Sequence, residues 1–354
     1  MSEKLTLDLD RWTGSTSDEL GYTSPSLFAE THRFKDTNGQ EFNVLEIDGR
    51  KEGTDGPTIL SSTSFDYRIE DLLERRMAIL ATHKNARVLL AEIPGVTMDR
   101  QNPFNTKGAW QTPKQTLFAS MGDFDLLAEQ QLRAIDATVG LEEGMDVQLF
   151  GESLGAYAVV AMARVMAQRT FNKGLRVTQM DLVEPVNAYG NHTFIRQALM
   201  LKNLATIEDT RRAIYLDEEN ARIGHGDIVA FEKQSEENMR IDKHVKLRQI
   251  PATYLTGAGL SKGLHTALTH ALANTDNDGP QLRDADIFLS RAVDSTVSFE
   301  KDLASAANTI RENGGHAFTY SLEAADGDKT PIGHHILNSL GRLASYAELR
   351  TPKA

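Results

Sequence analysis

Short apolar runs alternate with stretches of helical periodicity along most of the chain. The runs predict strands at residues 58–62, 87–93, 147–150, 177–183, 286–290 and 317–322. Between them, apolar residues recur three and four positions apart, as at Leu303, Ala306, Ala307 and Ile310, which is typical of amphipathic helices. Strands that alternate with helices in this way pair in parallel through right-handed crossovers.

The start of the chain has a different pattern. Residues 1–25 are polar and predict a loosely held lead-in. Two strand-like runs follow at 26–34 and 42–47, with Asp36-Thr37-Asn38-Gly39 between them. Because an Asn-Gly pair in such a position favours a tight hairpin, we expect the sheet to open with two antiparallel strands.

The alternation stops after Pro185. Residues 190–280 are charge-rich and mostly helical in character, and they predict a mainly helical cap inserted over the sheet edge. The core then consists of residues 26–189 and 281–354. The predicted fold class is α/β: a mostly parallel twisted sheet with antiparallel opening strands and helices on both faces.

Composition and charge narrow the function classes. With 40% hydrophobic residues among 354, the chain can bury a substantial core. It has 38 Lys and Arg against 50 Asp and Glu, a net charge of −12, so nucleic acid and anionic membrane surfaces are not expected partners. The absence of cysteine excludes disulfides, thiolate metal sites and a cysteine nucleophile. Without a signal-peptide pattern or a long apolar stretch, we expect a cytoplasmic protein with no membrane span.

One pentapeptide carries a chemical signature. Gly151-Glu152-Ser153-Leu154-Gly155 fits the G-x-S-x-G pattern of a nucleophile elbow, follows a predicted strand and precedes a small-residue helix. A sharp turn of this kind strains the serine backbone, and glycine on either side relieves contacts with the strand and the helix. The serine hydroxyl would then stand at a helix N-terminus, where the Leu154 amide could stabilise a developing oxyanion.

The order of these elements resembles the α/β-hydrolase superfamily from about residue 26 to residue 347. The resemblance is carried by the antiparallel opening pair, the strand after Pro57, the Ala91-Glu92-Ile93-Pro94-Gly95 segment and the elbow. It implies an α/β-hydrolase fold with a helical cap. It also implies that Ser153 is a nucleophile, followed along the chain by an acid and a histidine.

A second pentapeptide, Gly259-Leu260-Ser261-Lys262-Gly263, fits the same pattern. It falls inside the predicted insertion, and Lys262 puts a large charged side chain where the oxyanion-donating residue should pack closely. Ser153 is therefore the expected nucleophile and Ser261 its rival.

The resemblance also implies the other two members of a triad. Asp294 follows the predicted strand at 286–290, where the family commonly carries its acid, and Glu184 at the end of the preceding strand is the alternative. His334 comes after the last predicted strand in a Gly-His pair and is the expected base, with the adjacent His335 as the alternative.

The expected oxyanion donors are the backbone amides of Leu154 and Phe65, with Ser64 as an alternative to Phe65. Here the sequence departs from the family, because Ser61-Ser62-Thr63-Ser64-Phe65 replaces the usual His-Gly pair after the third core strand.

Together these features predict a serine hydrolase that acts on an ester or a related small-molecule acyl substrate. Two alternatives use the same fold: an acyltransferase with the same triad, and a binding protein without catalysis. The sequence contains no H-E-x-x-H or G-x-x-x-x-G-K-[ST] pattern, and no metal or other cofactor is expected. Nothing in the pattern specifies an oligomeric state.

Overall fold

A computed structural model gives the architecture of the chain. It describes residues 2–7, 19, 28–37, 39, 41–63, 71–93, 113–167, 171, 173–189, 263–273, 282–295, 297–324, 337 and 340–350.

The described residues form one sheet of nine strands in the order β1-β9-β8-β7-β6-β4-β5-β3-β2. The strands are β1 (Glu3–Leu7), β2 (Phe28–Lys35), β3 (Glu41–Asp48), β4 (Thr58–Ser62), β5 (Arg87–Ala91), β6 (Asp146–Glu152), β7 (Arg176–Val183), β8 (Asp286–Ala292) and β9 (His316–Ala324).

Seven helices of eight or more residues accompany the sheet in this part of the chain. They are α1 (Asp71–His83), α2 (Pro113–Ser120), α3 (Asp125–Val139), α4 (Leu154–Ala167), α5 (Leu264–Ala273), α6 (Glu300–Glu312) and α7 (Leu340–Leu349).

The pairing of the strands confirms the predicted mixed sheet. From β1 across to β5 every neighbouring pair is parallel, whereas β3 pairs antiparallel with both β5 and β2. The β2–β3 connection contains the predicted turn: Gly39 has a φ of +80° and its amide donates to the Asp36 carbonyl at 3.0 Å. The opening hairpin therefore follows from local turn chemistry.

Helices cover both faces of the sheet, as the alternation of elements predicts. Side chains along a strand point alternately to opposite faces, so Ile59 packs with α1 and α7 while Leu60 packs with α3 and α4. All five residues of β4 are buried. Because β4 is covered on both sides, both alternating sets of its side chains are buried, including the hydroxyl residues Thr58 and Ser61.

Two segments differ from the sequence-based expectation. Glu3–Leu7, assigned to a loose lead-in, forms β1 and pairs with β9 at the sheet edge. Leu264–Ala273, assigned to the cap, forms α5 and contributes Leu264, Leu268 and Leu272 to the same core cluster as α4 and α6. At least this end of the predicted insertion therefore belongs to the core. Residues 190–262, the greater part of the predicted cap, lie outside the described residues.

None of the helices in the described ranges is both long and apolar enough to cross a lipid bilayer.

A buried charge cluster joins two helix ends to the middle of the sheet. Asp181 on β7 lies 2.8 Å from Lys84 Nζ, just after α1, and 3.1 Å from an Arg350 guanidinium nitrogen, just after α7. Burial alone would raise the pKa of the Asp181 carboxyl. The charges of Lys84 and Arg350, with hydrogen bonds from Lys84 and Gln179, hold that pKa below its usual range.

We expect Asp181→Asn to lower the free energy of unfolding by about 3–5 kcal/mol at neutral pH, because Lys84 and Arg350 lose the counter-charge that they share. The folded-state pKa of Asp181 lies below its unfolded value. This stabilisation is therefore present above about pH 4 and is lost as the pH falls through the folded-state pKa. Urea unfolding at neutral pH and at about pH 3 measures the effect. The difference in free energy of unfolding between wild type and variant should be smaller at the acidic pH. An equal difference at both pH values would contradict a stabilising role for the ionised Asp181 carboxylate.

Candidate active site

Ser153 lies on the sharp turn between β6 and α4. Its φ of +54° is in the left-handed region, which costs a non-glycine residue free energy unless the surroundings impose it. The Ser153 amide donates to the Val183 carbonyl at the end of β7 at 3.0 Å, and the residue is 6% exposed. The fold therefore holds this serine in an otherwise unfavourable conformation.

The glycines on either side of Ser153 allow close packing. A β-carbon on Gly151 would lie 2.6 Å from Val159 Cγ2 and 2.7 Å from Ala156 Cα, both on α4. One on Gly155 would lie 2.8 Å from the carbonyl oxygen of Ser62, at the end of β4. Strand, turn and helix thus meet at distances that only glycine permits, as the motif predicts.

The helix that leaves the turn is almost entirely enclosed. Every residue of α4 except Arg164 is buried, which explains its run of alanine and valine. Leu154 is the first residue of the helix, so no preceding helical turn supplies an acceptor for its amide. This amide and the positive end of the helix dipole lie beside Ser153 and favour negative charge there.

Glu184 is the acidic residue directly after β7, beside the elbow. It has a φ of +51° and is 0% exposed. Its carboxylate accepts hydrogen bonds from the Ala292 amide and, at 2.5 Å, from the Ser295 hydroxyl. Glu184 therefore joins the end of β7 to the turn that follows β8.

Asp294 lies on that same turn, between Ala292 and Ser295. Its side chain is exposed, in contrast to Glu184. The Ser295 amide donates to the Ala292 carbonyl at 3.1 Å, and the Ser295 hydroxyl accepts a hydrogen bond from the Ser298 amide at 3.0 Å. The two acids considered from the sequence are thus neighbours: one is buried beneath the turn and the other is exposed on it.

The chain that leads toward the expected second oxyanion donor leaves β4 beside the elbow. Thr63 is buried, its amide donates to the Ala91 carbonyl at 3.3 Å, and its hydroxyl accepts from the Ile93 amide at 3.0 Å. Gln131 on α3 donates to the Ser62 hydroxyl at 2.8 Å and to the Ala91 carbonyl at 3.0 Å. The carboxyl ends of β4 and β5 are therefore fixed to each other and to α3.

Several residues singled out in the sequence lie outside the described residues. They are Ser64, Phe65, Ser261, His334 and His335.

Sequence reasoning missed a buried ion pair next to Ser153. Arg76 on α1 donates to Glu152 Oε2 at 2.5 Å and, through Nε, to the Leu337 carbonyl at 3.0 Å. A glutamate inside an otherwise apolar strand end was the available signal, because a buried carboxylate requires a partner. The sequence does not indicate which arginine supplies it.

A scan against protein-family models and a sequence search of curated proteins gave no match. Among solved structures, the chain is similar to an acylaminoacyl peptidase from Pyrococcus horikoshii, with 10% identity, a TM-score of 0.50, and coverage of 92% of this chain and 41% of that one. It also aligns with the thioesterase domain from the curacin biosynthetic pathway, with 16% identity, a TM-score of 0.49, and coverage of 90% and 99%. A third match is brefeldin A esterase, a bacterial homologue of human hormone-sensitive lipase, with 12% identity, a TM-score of 0.44, and coverage of 92% and 80%.

At 10% identity the likeness to the peptidase bears on the fold alone. The mostly parallel sheet with its antiparallel opening pair, and the left-handed serine on the turn between β6 and α4, are the features expected from the sequence resemblance. The chain has the α/β-hydrolase fold.

Proposed function

We propose that this chain is a serine hydrolase that cleaves an ester or a related small-molecule acyl substrate, with Ser153 as its nucleophile. The observation that carries the proposal is the left-handed backbone of Ser153, with a φ of +54°, at the turn between β6 and α4. Strained residues of this kind occur where the surroundings enforce them, and they concentrate at active sites.

The proposed reaction begins with attack of Ser153 Oγ on the substrate carbonyl carbon. His334 takes the hydroxyl proton, and the carbonyl oxygen becomes an oxyanion that accepts hydrogen bonds from the amides of Leu154 and Phe65. The carbonyl reforms as the bond to the leaving group breaks, and His334 returns the proton to that group. Water, activated by the same histidine, then hydrolyses the acyl-enzyme and regenerates Ser153.

The acid in this proposal is Asp294, which would orient the imidazole and stabilise the imidazolium. Its place on the turn directly after β8 and its exposure support this role, because its carboxylate is accessible to a partner. Glu184 is the second candidate, since it is buried beside the elbow. Its carboxylate oxygens already accept hydrogen bonds from Ala292 and Ser295, which favours a structural role.

Ser153→Ala should lower the turnover of p-nitrophenyl acetate by several orders of magnitude. What remains should be at most the roughly 10³–10⁴-fold acceleration over water that binding and the oxyanion hole supply. Ser261→Ala is the matched control, since it removes the same hydroxyl from the rival pentapeptide, and it should retain most of the activity. Initial rates of the purified variants decide between the serines. Equal losses, or a loss in Ser261→Ala alone, would contradict Ser153 as the nucleophile.

Exchanging each acid for its amide separates the two carboxylates. We expect Asp294→Asn to lower kcat by roughly 10³–10⁴-fold, because the amide favours the wrong histidine tautomer, and to leave the melting temperature nearly unchanged. Glu184→Gln should keep most of kcat, because the glutamine oxygen can still accept from the Ala292 amide and the Ser295 hydroxyl can reorient. The opposite result, a crippled Glu184→Gln with a mild Asp294→Asn, would assign the acid to Glu184.

The two adjacent histidines are distinguished by their pH profiles. A general base must be neutral, so the rate should rise with pH through an apparent pKa near about 6.5, modified by the carboxylate partner. His334→Ala should lose kcat and this titration, whereas His335→Ala should keep both. If His334→Ala titrates and turns over normally, the base must instead be His335.

A further inference from the structure

We propose that Arg76 is a positioning residue for the reaction, which holds the nucleophile turn and the chain after the catalytic histidine at a fixed separation. This inference rests on the proposed function. It goes beyond that function by adding a residue that lies outside the triad and the oxyanion hole.

Arg76 joins two segments that are far apart in the sequence. It lies on α1, is 1% exposed, and donates to the side chain of Glu152 and to the backbone carbonyl of Leu337. The guanidinium is planar and its donors have fixed directions, so two simultaneous hydrogen bonds fix both partners relative to the same rigid group. Arg76 thus determines the distance between the two segments to which it binds.

The first segment is the nucleophile turn itself. Glu152 is the last residue of β6, directly precedes Ser153 and is 6% exposed. A buried carboxylate in this position would be costly without a neighbouring cation. The Arg76 guanidinium, 2.5 Å from the Glu152 carboxylate, is that cation. Because Ser153 is joined to Glu152 by a peptide bond, the ion pair also restrains the backbone from which the Ser153 hydroxyl projects.

The second segment is the chain that leads into α7. Leu337 is fully buried in the cluster that α1 and α7 share, and it follows His334 by three residues. Three residues span at most about 10 Å. A fixed Leu337 carbonyl therefore limits how far the histidine can move from the serine. Arg76 holds this carbonyl with its Nε, separately from the nitrogen that binds Glu152.

A purely structural role makes a different prediction. In that case Arg76 matters only because Glu152 would otherwise be a buried unpaired charge, and removing the charge should restore activity and stability together. In a positioning role, the Leu337 carbonyl needs its own donor. Activity should then stay low even when the unpaired charge of Glu152 has been removed.

Three variants separate these roles in the full-length protein. Arg76→Met removes the hydrogen bonds to Glu152 and to the Leu337 carbonyl, and Arg76→Lys keeps a cation for Glu152 but lacks the fork that binds these two partners. The double variant Arg76→Met and Glu152→Gln removes the buried charge and leaves the Leu337 carbonyl without its arginine donor. For each we would measure kcat and KM on p-nitrophenyl acetate, the rate of fluorophosphonate labelling of Ser153, the pH profile and the melting temperature.

We expect kcat to fall by about 10–100-fold in all three variants with little change in KM, because a misplacement of about 1 Å produces losses of this size. The melting temperature should fall most in Arg76→Met and should recover in the double variant, whose kcat stays low. A positioning role changes the rate and not the titration of the base, so the acid limb of the pH profile should keep its apparent pKa in the double variant, which has no unpaired charge at Glu152.

Lys84→Met is the matched control. Like Arg76→Met, it removes a buried cation from a carboxylate on the sheet, in this case Asp181, two residues before the end of β7. It should lower the melting temperature and leave kcat and the pH profile unchanged.

The possible results distinguish the two levels of the proposal. A wild-type chain that is not labelled at Ser153 contradicts the proposed function and the positioning role with it. A labelled wild type whose double variant has a kcat within twofold of the wild-type value contradicts the positioning role alone. Should Arg76→Met fail to fold, Arg76→Lys and the double variant still provide the test, because each avoids the unpaired Glu152 charge.

Discussion

The left-handed conformation of Ser153 determines how the elements around the nucleophile turn must pack. A φ of +54° costs a serine free energy, so the neighbouring elements must maintain it. The Val183 carbonyl accepts the Ser153 amide, Gly151 packs against α4, and Gly155 packs against the end of β4. Each contact needs neighbouring strands to end at the same level. The conformation of Ser153 therefore depends on three features together: the order of the parallel strands, the small residues of α4 and the two glycines.

Buried acidic groups connect this turn to the elements around it. Glu152 binds Arg76 on α1, and Glu184 binds the turn after β8. Asp181, further back on β7, binds Lys84 and Arg350 at the ends of two helices and is not part of this turn. Each of these carboxylates is buried, where an unpaired charge would be costly. The hydrogen bond or ion pair that satisfies the carboxylate therefore also holds its partner residue in place. Functional residues often lie on the loops at this edge of a sheet. Here side-chain hydrogen bonds and ion pairs restrain the chain at the carboxyl ends of the strands, in addition to the backbone pairing.

The sequence predicts those elements whose signals are local. The buried strand β4 has the predicted limits of Thr58 and Ser62, and the elbow follows from the spacing of two glycines around Ser153. The edge strand β1 was missed because it is five residues long and buries little beyond Leu7. The packing of α5 against α4 and α6 was not expected, because local periodicity does not indicate which helices pack together. The Arg76–Glu152 pair could not be identified from the sequence, because its two residues are far apart along the chain and no regular spacing relates a buried carboxylate to its cation.

Covalent labelling of Ser153 would show whether the fold holds this serine as a reactive nucleophile. The folded chain would be treated with a fluorophosphonate probe, digested and mapped by mass spectrometry, with heat-unfolded chain as the control. We expect one label per chain on the peptide that contains Ser153, and none after unfolding, because reactivity depends on the turn and its surroundings. A folded chain that takes up no label, or that is labelled at Ser261, would contradict this expectation.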